Sequence, residues 1–115
     1  FFITLGIQFM NITKQVVLAS AVTLLSSIAT TAMADGEALY KAKTCWSCHG
    51  KDAKTPIIPI YPILAGQNKD YALNQMKDIK SGARNNGQTA AMQGVMGLVN
   101  DAEMAEIAEW LSTLK

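Results

Sequence analysis

Both cysteines and the single histidine of this chain stand within five consecutive residues, Cys45-Trp46-Ser47-Cys48-His49. Two thiols and an imidazole at that spacing admit four chemistries. A structural zinc site needs four ligands, and with no further cysteine or histidine in the 115 residues it would have to recruit a carboxylate. A reactive dithiol is normally set between a strand and a helix, and the chain shows no alternating strand pattern. A plain disulfide across two intervening residues constrains little. In the fourth chemistry the thiols add to the vinyl groups of a haem and the adjacent imidazole reaches its iron, the arrangement that C-x-x-C-H spacing serves. This last reading uses all three residues, and Gly50 then lets the chain turn away.

An electron-transfer haem needs a second axial ligand, and methionine is the usual one once the histidine is used. The candidates are Met76, Met92, Met96 and Met104. Met76 and Met104 fall on helical stripes, where a methionine is usually core. Met92 and Met96 fall in a stretch, AAMQGVMGLV, that reads as a linker able to bend over a haem face, and the residues themselves leave these two open.

The elements that must position such a site are helical. Asp35 is a candidate N-cap for a short helix running through Leu39, Tyr40 and Ala42 into the cysteines. The stretch KDAKTPIIPIYPILAGQ carries Pro56, Pro59 and Pro62 and cannot be helix interior, yet its isoleucines suit a loop wrapped against something apolar. Ala72, Met76, Ile79 and Ala83 recur on one helical face, with Gly82 as the stop. Asn100 and Glu103 have capping-box spacing, and Met104, Ile107, Ala108, Leu111 and Leu114 form the stripe of a last helix over 101–114. The expected class is all-α, three or four short helices joined by long loops.

The head of the chain reads differently. Residues 1–34 carry one charge, Lys14, and an apolar run ends in Ala32-Met33-Ala34 before Asp35, the pattern of a secretory signal peptide cleaved after Ala34. Met10 reads as the natural beginning of that segment, with residues 1–9 as an annotation artefact. An uncleaved membrane anchor is disfavoured by the many Ser, Thr and Ala residues, so no stable membrane insertion is expected after cleavage. The remainder, about 81 residues, holds nine basic and nine acidic side chains, which excludes the basic footprint of a nucleic-acid binder. A domain of that size buries only about 60–65% of its unfolded surface and often needs a staple, which a bound macrocycle supplies.

With these motifs in place, residues 35–115 resemble a small class I cytochrome c of the soluble bacterial periplasmic monohaem type, a pattern also found in tandem as the halves of two-haem cytochromes. The resemblance rests on CWSCHG, YPILAGQ at 61–67, YALNQMKDIKSGAR at 71–84 and MQGVMGLVNDAEMAEIAEWLSTL at 92–114. It implies the cytochrome c fold around one covalent haem c. It implies Met92, eight positions before Asn100 in an M-x-G context, as the iron ligand opposite His49, in preference to Met96. It also implies that the Pro62 carbonyl accepts a hydrogen bond from His49, and that Gly36 and Tyr40 cross the last helix near Ile107 and Trp110, where tyrosine is more usual. The implied function is that of a periplasmic one-electron carrier, favoured as a monomer and not an enzyme, serving membrane-bound or periplasmic redox proteins, with Lys43, Lys51 and Lys54 bordering the docking surface. The alternatives are the electron-transfer subunit of a dehydrogenase or oxidase complex and, further off, a haem gas sensor or peroxidase-like protein.

Overall fold

The computed structural model describes residues 35–115; the expected signal segment lies outside them. The described residues form five helices and no strand: α1 (Gly36–Ala42), α2 (Trp46–His49), α3 (Lys69–Ser81), α4 (Thr89–Met96) and α5 (Asp101–Thr113). The all-α class holds. Of the five, α4 stands where the sequence suggested a linker, and α2 lies within the cysteine motif, to which no element of its own was assigned.

Local chemistry accounts for the ends of the longer helices. Asp35 caps α1 by accepting from the Glu37 amide at 3.1 Å, and Asn68 caps α3 by accepting from Tyr71 at 3.0 Å. α3 stops at Gly82, whose φ of 83° is left-handed and costs glycine little. α5 opens with a complete capping box: the Glu103 amide donates to Asn100 Oδ1 at 2.9 Å, and the Asn100 amide to Glu103 Oε2 at 3.0 Å. α4 has no side-chain cap. It forms because Thr89 and Met96 are buried and the helix packs along α3, so tertiary contact overrides the weak local signal of a segment with a glycine inside it and another at its end.

α5 is the central element, packing on α1 along one side and on α3 along another. Its stripe, Met104, Ile107, Ala108 and Leu111, is buried, with Tyr40, Met96 and Val99 completing the core. Full burial of each large side chain contributes about 1.5–3 kcal/mol. The α1–α5 crossing is close at Gly36, where a Cβ would lie 2.2 Å from the Glu106 carbonyl oxygen and 2.6 Å from Trp110 Cβ. The rings of Tyr40 and Trp110 meet on the same seam, 4.9 Å apart and tilted by 49°.

The proline-rich loop is tied down at its neck. The Ala53 carbonyl accepts from the amides of Leu64 (2.9 Å) and Ala65 (3.0 Å), and the Gly66 amide donates to the Leu111 carbonyl at 2.8 Å. Ala53 is fully buried and takes a positive φ of 57°. The expectation of an apolar loop wrapped inward is corrected in part: Tyr61 to Leu64 face a cavity, whereas Ile57 and Ile58 lie on the surface, 64% and 42% exposed.

Candidate functional site

Cys45 precedes α2 with helical backbone angles, so Cys45, Cys48 and His49 stand at i, i+3 and i+4 on one face of a single turn. That face looks onto a cavity of about 470 Å³, a size suited to a cofactor. Gly50 ends the turn at φ 87°; a Cβ there would lie 2.2 Å from the Thr55 carbonyl oxygen. The Gly50 carbonyl accepts the buried Tyr40 hydroxyl at 2.7 Å. Burial, with smaller contributions from the two cysteines and Asp52, holds that phenol well above its ordinary pKa, so it remains a donor.

His49 is 5% exposed, and its Nδ1 lies 3.0 Å from the Pro62 carbonyl oxygen. A carbonyl only accepts, so Nδ1 carries the hydrogen and Nε2 keeps the lone pair. Burial lowers the imidazole pKa, with the Pro62 bond opposing, which favours the neutral ring. Pro62 holds this position because Ala53 and Leu111 anchor the neck of its loop.

Cys45 and Cys48 both line the cavity and are not joined to one another. Burial, followed by the neighbouring Cys48 and opposed by a backbone hydrogen bond, pushes the Cys45 thiol up to about 11. That is the reverse of the depressed value a redox dithiol uses. Among the described residues no group of three His, Cys, Asp or Glu side chains is arranged to hold a metal ion, so the zinc alternative has no fourth ligand or cluster to draw on.

Three methionines reach the cavity: Met76 from α3, and Met92 and Met96 one turn apart on α4. Met96 is 1% exposed and belongs to the core, whereas Met92 packs against that core half-buried. Met104 is fully buried away from the cavity, as its stripe predicted. The donor set and the apolar walls fit a flat, largely apolar macrocycle that carries iron: two thiols and a lone-pair imidazole on one element, thioethers on another.

A family model described as Cytochrome c matches residues 33–115, which include all of the site. The chain belongs to the cytochrome c family. Membership brings a covalently bound c-type haem with its iron, for which Cys45, Cys48 and His49 supply the attachment motif. Among curated relatives, the chain is 40% identical over 75 residues to cytochrome c4 of Pseudomonas aeruginosa, covering 65% of this chain and 35% of that protein. It is 36% identical over 73 residues to cytochrome c-554(548) of Halomonas halodenitrificans, covering 64% and 87%. It is also 35% identical over 104 residues to the thiosulfate dehydrogenase electron acceptor of Stutzerimonas stutzeri, covering 84% and 46%. The chain spans between a third and a half of the length of the cytochromes c4 it matches.

The lysines expected to border a docking surface are not equivalent. Lys43 is committed internally, donating to the Leu98 carbonyl at 3.0 Å and pairing with Glu103 at 3.0 Å, and Lys54 donates to the Lys115 carbonyl. Lys51 is exposed. Sequence reasoning missed Gln75 and Gln67 as cavity residues, and Ala53 as the anchor of the Pro62 loop. Gln75 follows from the α3 register once the inward face is known; Gln67, before the Asn68 cap, and an alanine at positive φ have no such signal.

Proposed function

We propose that this chain is a one-electron carrier of the periplasm, with His49 and Met92 as the axial ligands of its haem iron. When bound, the haem supplies a ferric/ferrous couple. The rest is done by the chain. Cys45 and Cys48 fix the group to α2, while Pro62 orients the imidazole and keeps its proton on Nδ1. The core around Met76, Met96, Ile107 and Leu111 excludes water, which limits the reorganisation that accompanies a change of charge. The observation that carries the reading is the 3.0 Å contact between His49 Nδ1 and the Pro62 oxygen, which leaves Nε2 free on a ring lining the cavity. Met92 is preferred to Met96 because Met96 is committed to the core and Met92 stands eight residues before the cap of α5.

The chain transforms no substrate in this reading: its single histidine is assigned to the iron through Nε2, and the sequence holds no second histidine to serve as a distal acid or base. Among the described residues no helix is long and apolar enough to cross a membrane, which fits a carrier released after cleavage of the segment before Asp35. The similarity to a thiosulfate dehydrogenase electron acceptor favours a second version, in which a periplasmic dehydrogenase is the donor. Mass spectrometry of the exported protein should report one haem increment on a chain beginning at Asp35. The ferric visible spectrum should contain the weak long-wavelength band of sulfur-to-iron ligation, lost in Met92→Ala and kept in Met96→Ala. A mass without haem sinks the reading, and a band surviving in Met92→Ala sinks the ligand assignment.

A further inference from the structure

Of the asparagines among the described residues, Asn86 is the one followed by a glycine. It opens a tight turn: its carbonyl accepts from the Thr89 amide at 3.2 Å and from the Thr89 hydroxyl at 2.7 Å, and Gly87 between them has a φ of 55°. The positive φ suits glycine, and with glycine comes a peptide nitrogen that no side chain shields. Nothing lies within 4 Å of a Cβ built on Gly87, and both residues are exposed. Among the described residues the Gly87 amide has no acceptor and the Asn86 side chain no partner. The other asparagines are placed differently. Asn68 and Asn100 cap helices by accepting from Tyr71 (3.0 Å) and Glu103 (2.9 Å), Asn74 lies within α3, and Asn85 is followed by a side chain as bulky as its own.

Asparagine is among the thermolabile residues because its side-chain amide can be lost to hydrolysis. We infer that Asn86–Gly87 is a self-modifying site that adds a carboxylate to the rim of the cavity. The Gly87 nitrogen attacks Asn86 Cγ; an N–Cγ bond forms, the Cγ–Nδ2 bond breaks, and ammonia leaves with the hydrogen displaced from the Gly87 nitrogen. Water then opens the cyclic imide, giving aspartate where the N–Cγ bond is cut and isoaspartate where the bond to the main-chain carbonyl carbon is cut. Nothing is oxidised or reduced, and water is the only co-reactant. Ring closure requires the peptide plane between the two residues to rotate, so the two Thr89 bonds to the Asn86 carbonyl restrain it.

The location gives the new charge its weight. Asn86, Gly87 and Gln88 line the cavity, whose one charged residue is Arg84 and whose lining holds no Asp or Glu among the described residues. α4 begins at Thr89 with no side-chain cap and no acid in its first turn, so a carboxylate just before it meets the favourable end of the helix dipole. An aspartate carboxyl titrates at about 3.9 and is ionised at neutral pH. The effect on the haem rests on the haem reading above: the ferric state is one charge more positive than the ferrous, so a negative charge at the rim favours it and the midpoint potential falls.

The test ages the haem-loaded full chain in mildly alkaline buffer and follows it by peptide mass mapping and redox titration, for the unaltered protein, Asn86→Gln, Asn85→Gln and Thr89→Val. The unaltered protein and Asn85→Gln should gain the mass of one amide-to-acid exchange at position 86, with isoaspartate among the products, while Asn68, Asn74 and Asn100 keep their amides. Asn86→Gln should gain none there. Thr89→Val, which lacks the hydroxyl bond, should convert about two- to tenfold faster. Freshly prepared Asn86→Asp should show the lower midpoint that the unaltered protein approaches on ageing, and aged Asn86→Gln should keep its starting value. An unaltered protein that keeps the Asn86 amide while another asparagine converts overturns the inference. An unchanged rate in Thr89→Val overturns the restraint by the turn, and Asn86→Asp with the midpoint of the unaltered protein overturns the effect on the haem. A chain without the haem mass overturns the haem reading, while the peptide masses still decide the modification.

Discussion

Replacing Gly36 by alanine adds one methyl group at the tightest point of the α1–α5 crossing. The new Cβ would lie 2.2 Å from the Glu106 oxygen, 2.9 Å from the Glu106 carbonyl carbon and 2.6 Å from Trp110 Cβ. Backbone atoms cannot rotate away, so the helices must part by roughly 1 Å to restore ordinary contact, a gap that forfeits a quarter to a half of the dispersion along the seam. The Tyr40–Trp110 contact lies on that seam and loosens with it. Overpacking of this kind costs about 1–3 kcal/mol, and the better helix propensity of alanine offsets little because Gly36 is the first residue of α1. A net loss of about 2 kcal/mol corresponds, for a domain of this size, to a fall in Tm of roughly 8–16 °C. Thermal unfolding of the haem-loaded protein, followed by far-ultraviolet circular dichroism, measures it directly. The same substitution at Gly94 is the control, since nothing lies within 4 Å of a Cβ there and alanine should be neutral or stabilising by up to about 1 kcal/mol. A Gly36→Ala protein that melts within about 2 °C of the unaltered one would refute the close-packing argument.

Tyr40→Phe removes the donor to the Gly50 carbonyl and leaves that oxygen buried without its partner, so a loss of about 1–3 kcal/mol is expected in denaturant titrations. The haem spectrum should be unchanged, because the phenol is not a ligand. Glu103 has its carboxyl held below the ordinary value of 4.5, first by the Asn100 amide and then by Lys43. Its contribution to stability is therefore present above about pH 4.5 and lost as pH falls through the lower folded value. Glu103→Gln should flatten that part of the acid limb, and an acid unfolding profile identical to that of the unaltered protein would contradict it.

The parts of this protein that were readable in the sequence are those whose causes are local. The capping box at Asn100 and Glu103 and the stripe behind it announce α5, and the recurrence of Ala72, Met76 and Ile79 announces α3. Cys45, Cys48 and His49 share one helical turn, so their spacing alone declares the attachment motif. What was not readable depends on contacts made elsewhere. α2 is four residues long, too short for any periodicity to register. α4 lacks a cap, holds Gly94 and is followed by Gly97, and becomes a helix because α3 supplies the surface beneath it. Isoleucines at 57 and 58 look like core residues by type, yet the loop is fixed through backbone bonds, at its neck and from the Ile57 amide to the Cys48 carbonyl (3.0 Å), that leave those side chains outside. Arg84 is an unremarkable charge in the sequence and becomes a cavity residue through the direction in which Gly82 turns the chain.

The neck of the proline-rich loop has a consequence for how the protein can change. Leu64 and Ala65 hang from the Ala53 carbonyl, so the placement of Pro62 is set in large part by the backbone at the base of the loop. Doubling the length of such a closed loop costs only about 0.6 kcal/mol of chain entropy. Ile60 lines the cavity and the Ile58 carbonyl accepts the Tyr61 amide at 3.1 Å, so it is the exposed side chains of Ile57 and Ile58 that can be exchanged or tagged while the change is absorbed at the surface. The protein can acquire a new exterior there, over evolutionary time or at the bench, and leave the histidine bound to Pro62 undisturbed.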